Sequence, residues 1–381
     1  EKAVATPIEQ QMSGVDNMDY MYSVNANNGE MTLNVNFALG TNANTDQLLA
    51  QMRQGQAESQ LPADVRNYGI TTAKATSSPL LMFGLYSPNG TYDAAFLSNY
   101  AYVNINDPLT RIPGVGMVTI FGAGQYAMRL WVNPDQLAKL GVTISEIVGA
   151  LNTQNTVNPA GQIGSEPVPP GQEFTYAVSA QGRLVSEEEF GNIAVRADPD
   201  GSFIRVRDVA RVELGSQVYN LRSRVGGAPA AVIAVYQLPG SNALVAANGA
   251  RALFAELKER FPPDLDYRVA LDTTLAVTEG MKEIVTTLWE ALLLVLVVVF
   301  VFLQGWRATL IPMLAVPVSL VGTFAVFPLF GFSINTLSLF GLVLAIGLVV
   351  DDAIVVVEAV EHHIERGLAP REATRKAMAE V

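Results

Sequence analysis

The chain has 381 residues, 50 % of them hydrophobic, and 36 acidic against 24 basic residues leave a formal net charge of −12. That balance, with no basic run, argues against a nucleic-acid partner. Cysteine is absent and the two histidines are the adjacent His362 and His363, so a disulfide framework, a thiolate site and a His/Cys metal cluster are all excluded.

The length suits two or three domains. The apolar excess is concentrated late in the chain. Between Ile284 and Val357 the charged residues are Glu290, Arg307, Asp351 and Asp352. A large water-soluble portion is therefore expected to precede a membrane portion. The chain opens without Met, inside an amphipathic pattern (EKAVATPIEQQM), and stops inside another, so it reads as a fragment.

Residues 1–78 read helix, strand, strand, helix, strand. Glu1–Met12 is helical, and Met21–Val24 and Met31–Phe37 alternate around an Asn27-Asn28-Gly29 turn. Thr45–Gln60 is helical, with Asn44 or Thr45 as its N-cap, and Gly69–Ala73 is a strand. This is the grammar of a ferredoxin-like split βαβ unit, an α+β arrangement. The same grammar returns. Leu80–Tyr86 is a strand, Asp93–Asn106 a helix stopped by Pro108, and Met117–Phe121 and Ala127–Val132 are strands. Far downstream, strand Ala230–Gln237, helix Asn242–Arg260 and strand Leu265–Leu271 close the second unit.

Residues 125–217 interrupt that unit. They hold Asn155–Gln172, rich in Pro, Gly and Asn, which reads either as a disordered surface loop or as an extended arm that packs on another subunit. A turn at Asp198-Pro199-Asp200-Gly201 and a strand at Phe203–Arg207 complete the insertion.

Three stretches, Ile284–Leu303, Ala308–Phe330 and Ile334–Val357, each approach the ~20 residues needed to cross a bilayer. Arg307 in the first linker and Arg366, Arg371, Arg375 and Lys376 after the last stretch place those segments in the cytoplasm, and the large N-terminal portion on the opposite face.

The chemistry-bearing residues are Asp351 and Asp352. A carboxylate at bilayer depth costs about 2.5 kcal/mol or more on insertion scales. Two neighbours also repel, so the pair reads as a buried proton-binding site unless a cation lies close. Adjacent helical residues point about 100° apart, so the acids face different neighbours while staying coupled. Gly341, Ala345 and Gly347 would let another helix approach. The alternative is that the acids sit at the inner interface and snorkel, which the short Asp side chain does poorly. Glu358, one heptad after Asp351, reads as an interfacial acid or an extension of a proton path, and His362-His363 as a solvated helix end. Leu81-Met82-Phe83 and Phe121 read as ordinary core or as the wall of an adaptable apolar pocket. No Ser/His/Asp set, P-loop or metal-ligand spacing is present, which disfavours an enzyme or an ATP-driven device.

GFSINTLSLFGLVLAIGLVVDDAIVVVEAVE, preceded by FLQGWRATLIPMLAVPVSLVGTFAV, resembles the central membrane region of the resistance–nodulation–cell division (RND) transporters. PIEQQMSGVDNMDYM, GVGMVTIFGAGQYAMRLWVNP, RDVARVELG and PREATRKAM extend the resemblance over the whole chain. The paired acids favour the hydrophobe/amphiphile efflux branch, the AcrB/MexB type of multidrug pump, over the heavy-metal branch.

The resemblance implies a proton/drug antiporter subunit exporting antibiotics, dyes, detergents and bile-salt-like molecules. It implies no cofactor, the proton motive force as drive, and a homotrimer in a bacterial inner membrane. A periplasmic adaptor and an outer-membrane channel would be the partners. An RND-like accessory protein for lipid or protein export is the alternative. Residues 1–78 resemble a first porter subdomain, and 79–124 with 218–280 a second. Residues 125–217 resemble a docking subdomain whose arm, 155–172, enters the neighbouring protomer. Residues 281–361 resemble transmembrane helices and 362–381 a cytoplasmic tail. Asp351 and Asp352 match proton-relay acids whose cationic partners belong to later spans. Phe121 matches a phenylalanine of the drug pocket, and Met82, Ile120, Tyr219 and Leu221 fall at pocket-wall positions. Pro79 stands for a phenylalanine, Val218 for an asparagine, Tyr236 for a lysine and Leu271 for a tyrosine.

Overall fold

A computed structural model describes residues 1–380 other than 28, 158–159, 168–170, 172–173, 179–181, 198, 200, 304–305 and 333–335. The chain forms two compact units, Glu1–Asp272, which mixes sheets and helices, and Thr273–Val381, which is helical.

The first unit opens with α1 (Ala5–Met12), a hairpin of β1 (Met18–Asn25) and β2 (Met31–Phe37), α2 (Ala43–Ala57) and α3 (Ala63–Tyr68). Residue 28 of the expected hairpin turn lies outside the described residues. Ile8, Met12, Val15, Ala50, Ala57 and Leu61 are buried against Met31, Leu33, Val35 and Phe37 of β2. Helix α1 begins four residues later than the sequence suggested. Helix α2 is capped by Asn42, whose side-chain oxygen accepts the N–H groups of Asn44 at 2.9 Å and Thr45 at 3.3 Å. The expected caps, Asn44 and Thr45, are thus the capped residues, because the first side-chain acceptor in the run takes the orphan donors. The expected strand at 69–73 does not form. Its backbone carbonyls are met by α2 instead, Ile70 by Gln54 Nε2 and Thr72 by Gln47 Nε2 at 3.2 Å.

The chain continues through β3 (Pro79–Tyr86), α4 (Ala94–Tyr100), a π-helical turn at Ala101–Asn106 and α5 (Asp107–Thr110). Pro108 therefore does not stop the helix. The wider turn before it rearranges the i→i−4 ladder in which a proline cannot take part. Next come β4 (Val115–Phe121), β5 (Tyr126–Val132), α6 (Pro134–Leu140), α7 (Ile144–Gln154), β6 (Gln162–Ile163) and β7 (Tyr176–Ala177). Then follow α8 (Glu187–Gly191), β8 (Ala194–Ala197), β9 (Phe203–Arg205), α9 (Val206–Val209) and β10 (Ala210–Ser216). β11 (Ser223–Val225), β12 (Ala228–Gln237), α10 (Ala243–Lys258) and β13 (Asp266–Asp272) complete the unit.

A five-stranded antiparallel sheet is its centre. β3 and β12 pair with each other, β13 flanks β3, and β4 and β11 share the other edge of β12. Leu81, Phe83 and Leu85 of β3 and Ala231, Ile233 and Val235 of β12 alternate onto one face, where Leu97, Ile105, Leu109 and Phe254 bury them. Phe83 stacks on Phe254 with ring centroids 3.8 Å apart.

The insertion has its own core of Phe190, Ile193, Val206 and Ala210 packed on Met128, Leu130 and Val132 of the β5–β10 ribbon. It contains four helices, α6 to α9, that the alternation-based reading did not anticipate. α7 is set by a capping box between Thr143 and Glu146. The Thr143 backbone N–H and the Arg196 guanidinium, 2.6 Å away, hold the Glu146 carboxyl down to about 2. The expected strand Phe203–Arg207 ends at Arg205, where Val206 turns its N–H to the Ile193 carbonyl at 3.0 Å and starts α9. Within the expected arm, β6 pairs with β7, while residues 158–159, 168–170 and 172 lie outside the described residues, as do 198 and 200 of the expected turn.

The second unit contains α11 (Thr274–Leu303), α12 (Trp306–Val326) with a 3₁₀ turn at Phe327–Phe330, α13 (Thr336–Glu365) and α14 (Pro370–Glu380). α11, α12 and α13 pack on one another and α14 packs on α13. Pro312 and Pro317 sit inside α12. The hydrophobic pattern located the helices but not their ends. α11 begins at Thr274 rather than Ile284, and α13 runs to Glu365 rather than Val357. Among the described residues one segment, Phe340–Glu365, is long and apolar enough to cross a membrane, and Leu314–Phe330 is shorter.

Asp264 ties the ends of the second sheet unit together. Its backbone is left-handed (φ 65°), and its carboxylate accepts hydrogen bonds from the Ser87 hydroxyl, from Asn89 N at 2.9 Å and Nδ2 at 2.7 Å, and from Thr91 N at 3.2 Å. The Ser87 and Thr91 hydroxyls, with the backbone donors, hold this carboxyl well below the usual carboxylate range. A depressed folded pKa contributes stability that is present above the unfolded value, ~3.9, and lost as pH falls through the folded one. Asp264→Asn, which tolerates the same backbone but turns an NH2 group toward donors, should lower the denaturation midpoint at pH 7. The gap from the unsubstituted protein should narrow steadily below about pH 4. Denaturant titrations across that range read both effects, and a gap independent of pH would contradict the assignment.

Candidate functional site

Two places gather the residues singled out by sequence. The first is helix α13. Asp351 and Asp352 lie in its second half, both exposed in this chain. The chain's own helices leave them uncovered for a geometric reason. α13 turns Leu342 and Val357 inward, and Asp351, nine residues after Leu342, falls about 180° round the helix. Most of the outward residues beside them are apolar, with Leu344 72 % and Leu348 66 % exposed, together with Phe340 and Val355. Gly341, Ala345 and Asp352 fall on one stripe of that face. A Cβ added at Gly341 or Gly347 would meet no atom within 4 Å, so the close helix approach expected there is not made within this chain. Glu358 is also exposed. The acid pair thus stands on an open apolar surface, and any cation reaching it comes from outside these residues or from Arg307, whose side chain lies outside the described set.

The second place is the helix-free face of the five-stranded sheet. Strand alternation puts Met117, Thr119 and Phe121 of β4 there, beside Val232, Ala234 and Tyr236 of β12, which they pair with directly. Met82 of β3 lies opposite Ala234, and Leu271 of β13 lies opposite Met82. Pro79 pairs with Tyr236 at a bulge. The face is apolar with a floor of small residues, Gly84, Ala230 and Ala234. Its polar groups between β4 and β12 are the Thr119 and Tyr236 hydroxyls, and at the far side β13 adds Arg268, paired with Gly84, and Asp266, paired with Tyr86. Phe121, Met82, Tyr236 and Pro79 are therefore brought onto one surface.

Ile120 is not on that surface. It is buried on the opposite face, in the helix-covered core. Tyr219 is placed by the insertion. Its ring lies 4.9 Å from the Arg129 guanidinium and 6.0 Å from Trp131, and its hydroxyl accepts the Ser216 N–H at 3.0 Å. Leu221 follows it, exposed, in the segment leading to β11. A separate cavity of about 680 Å³ opens in the insertion beside Trp131, Gln136, Glu188, Arg207 and Val212, and none of the sequence-predicted site residues lines it.

Two features escaped the sequence reading. Val225 of β11 covers Gly84, so closely that a Cβ on Gly84 would come within 2.3 Å of Val225 Cγ2. No local pattern announces that contact, because β11 reaches Gly84 only through its pairing with β12. The other is His363, which is 3 % exposed and not a solvated helix end. Its side chain meets Glu380 of α14 at 2.8 Å.

The AcrB/AcrD/AcrF family model matches residues 1–381. The chain is 44 % identical over 382 aligned positions to the multidrug export protein AcrF of Escherichia coli (strain K12), covering 100 % of this chain and 37 % of AcrF. It is 41 % identical to the toluene efflux pump membrane transporter TtgB of Pseudomonas putida (strain DOT-T1E), over 100 % of this chain and 36 % of that protein. It is also 41 % identical to the multidrug resistance protein MdtF of E. coli (strain K12), over 100 % and 37 %. The chain thus spans a little over a third of the length of these curated relatives.

The Gly84–Val225 contact makes a sharp test of the sheet face. Gly84→Ala should destabilise the first unit by about 1–3 kcal/mol, the usual range for overpacking. Gly84→Ala combined with Val225→Ala should recover most of that loss. A double-mutant cycle from denaturation midpoints measures the coupling, and additive effects would mean that Val225 does not cover Gly84.

Proposed function

The chain belongs to the AcrB/AcrD/AcrF family of RND multidrug efflux transporters, and from that premise we propose that it is part of an inner-membrane proton/drug antiporter. The observation that carries this reading is the pair Asp351 and Asp352 on the open apolar face of α13. A helix with two carboxylates on such a face needs a proton or a cation to sit in a bilayer or against apolar neighbours. The relatives span nearly three times this length, so further helices are available to cover the face and to supply the cation. The acids then act as the proton relay, with the proton motive force as drive and no cofactor.

On this reading α11, α12 and α13 are three membrane spans. Arg307 and the basic residues of α14 mark the cytoplasmic side, and Glu1–Asp272 stands in the periplasm. Residues 1–78 form one porter subdomain, 79–124 with 218–280 a second, and 125–217 a docking subdomain whose arm, 155–172, reaches the adjacent protomer of a homotrimer. An adaptor and an outer-membrane channel complete the export path. Support for the arm comes from the β6–β7 hairpin, whose Ile163, Phe174 and Tyr176 are all exposed.

The substrate surface is the helix-free sheet face with Phe121, Met82, Tyr236 and Pro79, and Tyr219 and Leu221 stand at its margin. Hydrophobic and amphiphilic compounds fit it, in keeping with the drug and toluene export for which the relatives are named. Tyr236 replaces the lysine of the AcrB-type pocket, so the β4–β12 part of the face beside Phe121 offers an anion a hydroxyl in place of an ammonium, and the face's cation, Arg268, stands away from it on β13.

Asp352→Asn in the full-length protein should abolish dye efflux and the accompanying proton uptake in vesicles energised by a pH gradient. Unimpaired efflux would exclude the relay. With matched pairs of cationic and anionic dyes, the unsubstituted pump should export the cationic member faster, and equal rates would sink the assignment of Tyr236 to the substrate surface.

A further inference from the structure

We propose that His363 and Glu380 form a proton-dependent latch that holds helix α14 against the end of α13. The turn between the helices is built on His363 itself. The Leu368 N–H donates to its carbonyl at 3.2 Å, and Gly367, with φ 91°, gives the left-handed residue that ends α13. α14 presents Ala373, Ala377 and Glu380 on one face by their i, i+4, i+7 spacing, and both alanines are fully buried. Small side chains there let the helices approach closely enough to enclose an imidazole.

The enclosed ring is only half satisfied. Nε2 lies 2.8 Å from Glu380 Oε2, while Nδ1 is buried without a hydrogen-bond partner among the described residues. An ionised carboxylate only accepts, so Nε2 carries the hydrogen of that bond and Nδ1 is the atom that takes a second proton. The hydrogen bond from His363 is the main cause that lowers the Glu380 carboxyl, with Lys376 and Arg366 assisting. Glu380 is therefore ionised throughout the range in which imidazole titrates. The ionisable residues of the other helices packed on α13 are Glu279, Lys282, Glu283 and Glu290 of α11 and Arg307 of α12, of which Lys282 and Glu279 pair with each other at 2.7 Å.

Protonating Nδ1 turns a hydrogen bond from a neutral imidazole to a carboxylate into a partly buried ion pair, in which both donor and acceptor are charged. The grip on α14 is thus tighter with the imidazole protonated than with it neutral. His362, which precedes it, is exposed, with its ring 6.0 Å from that of His363. The latch closes the same helix that carries Asp351 and Asp352, but it stands whether or not those acids relay protons.

Hydrogen–deuterium exchange of the α14 amides in the intact protein, in lipid nanodiscs at pH 6 and pH 8 and corrected for intrinsic exchange, tests the proposal. The unsubstituted protein and His362→Gln should both show stronger α14 protection at pH 6. His363→Gln should show weak protection that does not change with pH. Equal protection of the unsubstituted protein at the two pH values, or a pH difference that survives in His363→Gln, would overturn the latch. Should His363→Gln fail to fold, Glu380→Gln decides the matter, because it keeps an acceptor oxygen on a half-exposed side chain and removes the charge. A shrunken pH difference supports the latch and a full-size one overturns it.

Discussion

A β-strand turns successive side chains to opposite faces, and the first unit is organised by what covers each face of its five-stranded sheet. One face is closed by the helices from α4 to α5 and by α10, with Phe83 stacked on Phe254 at the centre. Each apolar side chain of that size contributes roughly 1.5–3 kcal/mol when fully buried, so this face sets the register of every strand. The other face inherits its contents from that register. Phe121, Met82 and Tyr236 share a surface because Ile120, Leu81 and Val235 are committed to the core. A slip of one residue would exchange the two sets, so the stability of the core and the composition of the candidate binding surface are one constraint.

The second unit is organised differently. On α13 the inward residues are apolar and so are most of the outward ones, so packing alone does not distinguish the sides. The charges do. Asp351 and Asp352 occupy the face that this chain leaves open, whereas His363, three turns beyond Asp352, is enclosed by α14. An ionisable group enclosed within the chain finds its partner within the chain. On the proposed reading, a pair on the open face takes its partner from elsewhere. The two sites on one helix thus stand in opposite electrostatic conditions.

What the sequence disclosed follows the range of each interaction. Strands β3, β4, β12 and β13 and helices α2 and α10 were legible to within a few residues, because alternation, helical periodicity and capping are local. The cap at Asn42 was misplaced by two residues since several side chains in the run could serve, and only geometry selects one. Pro108 misled because the π turn that accommodates it has no local signature. The strand at 69–73 failed because two glutamines of α2 met its carbonyls first. In the candidate sites, Asp351 and Asp352 were obvious from their cost. The burial of His363 was not, since it depends on a small-residue face on α14 that is read only once the two helices are seen to fold back on each other.

The residues named for the binding surface lie partly on the five-stranded sheet and partly beside the β5–β10 ribbon. Tyr219 lies just past the insertion, its ring stacked on Arg129 of β5, and the strand that follows it re-enters the five-stranded sheet as β11. The chain crosses between insertion and sheet twice, from β4 to β5 and from β10 to β11. The two crossings are bonded together, Gln217 N to the Gln125 carbonyl at 2.9 Å, Val218 N to Ala123 at 3.0 Å and Ser223 Oγ to Phe121 at 2.9 Å. Ser98 fixes the same corner by accepting the Ala123 N–H at 2.9 Å, in a space so close that only glycine fits at 122. Phe121 is thus the last residue of the sheet before a bonded double crossing. A displacement of the insertion would reach the candidate surface first at that ring, through backbone hydrogen bonds rather than through side-chain packing.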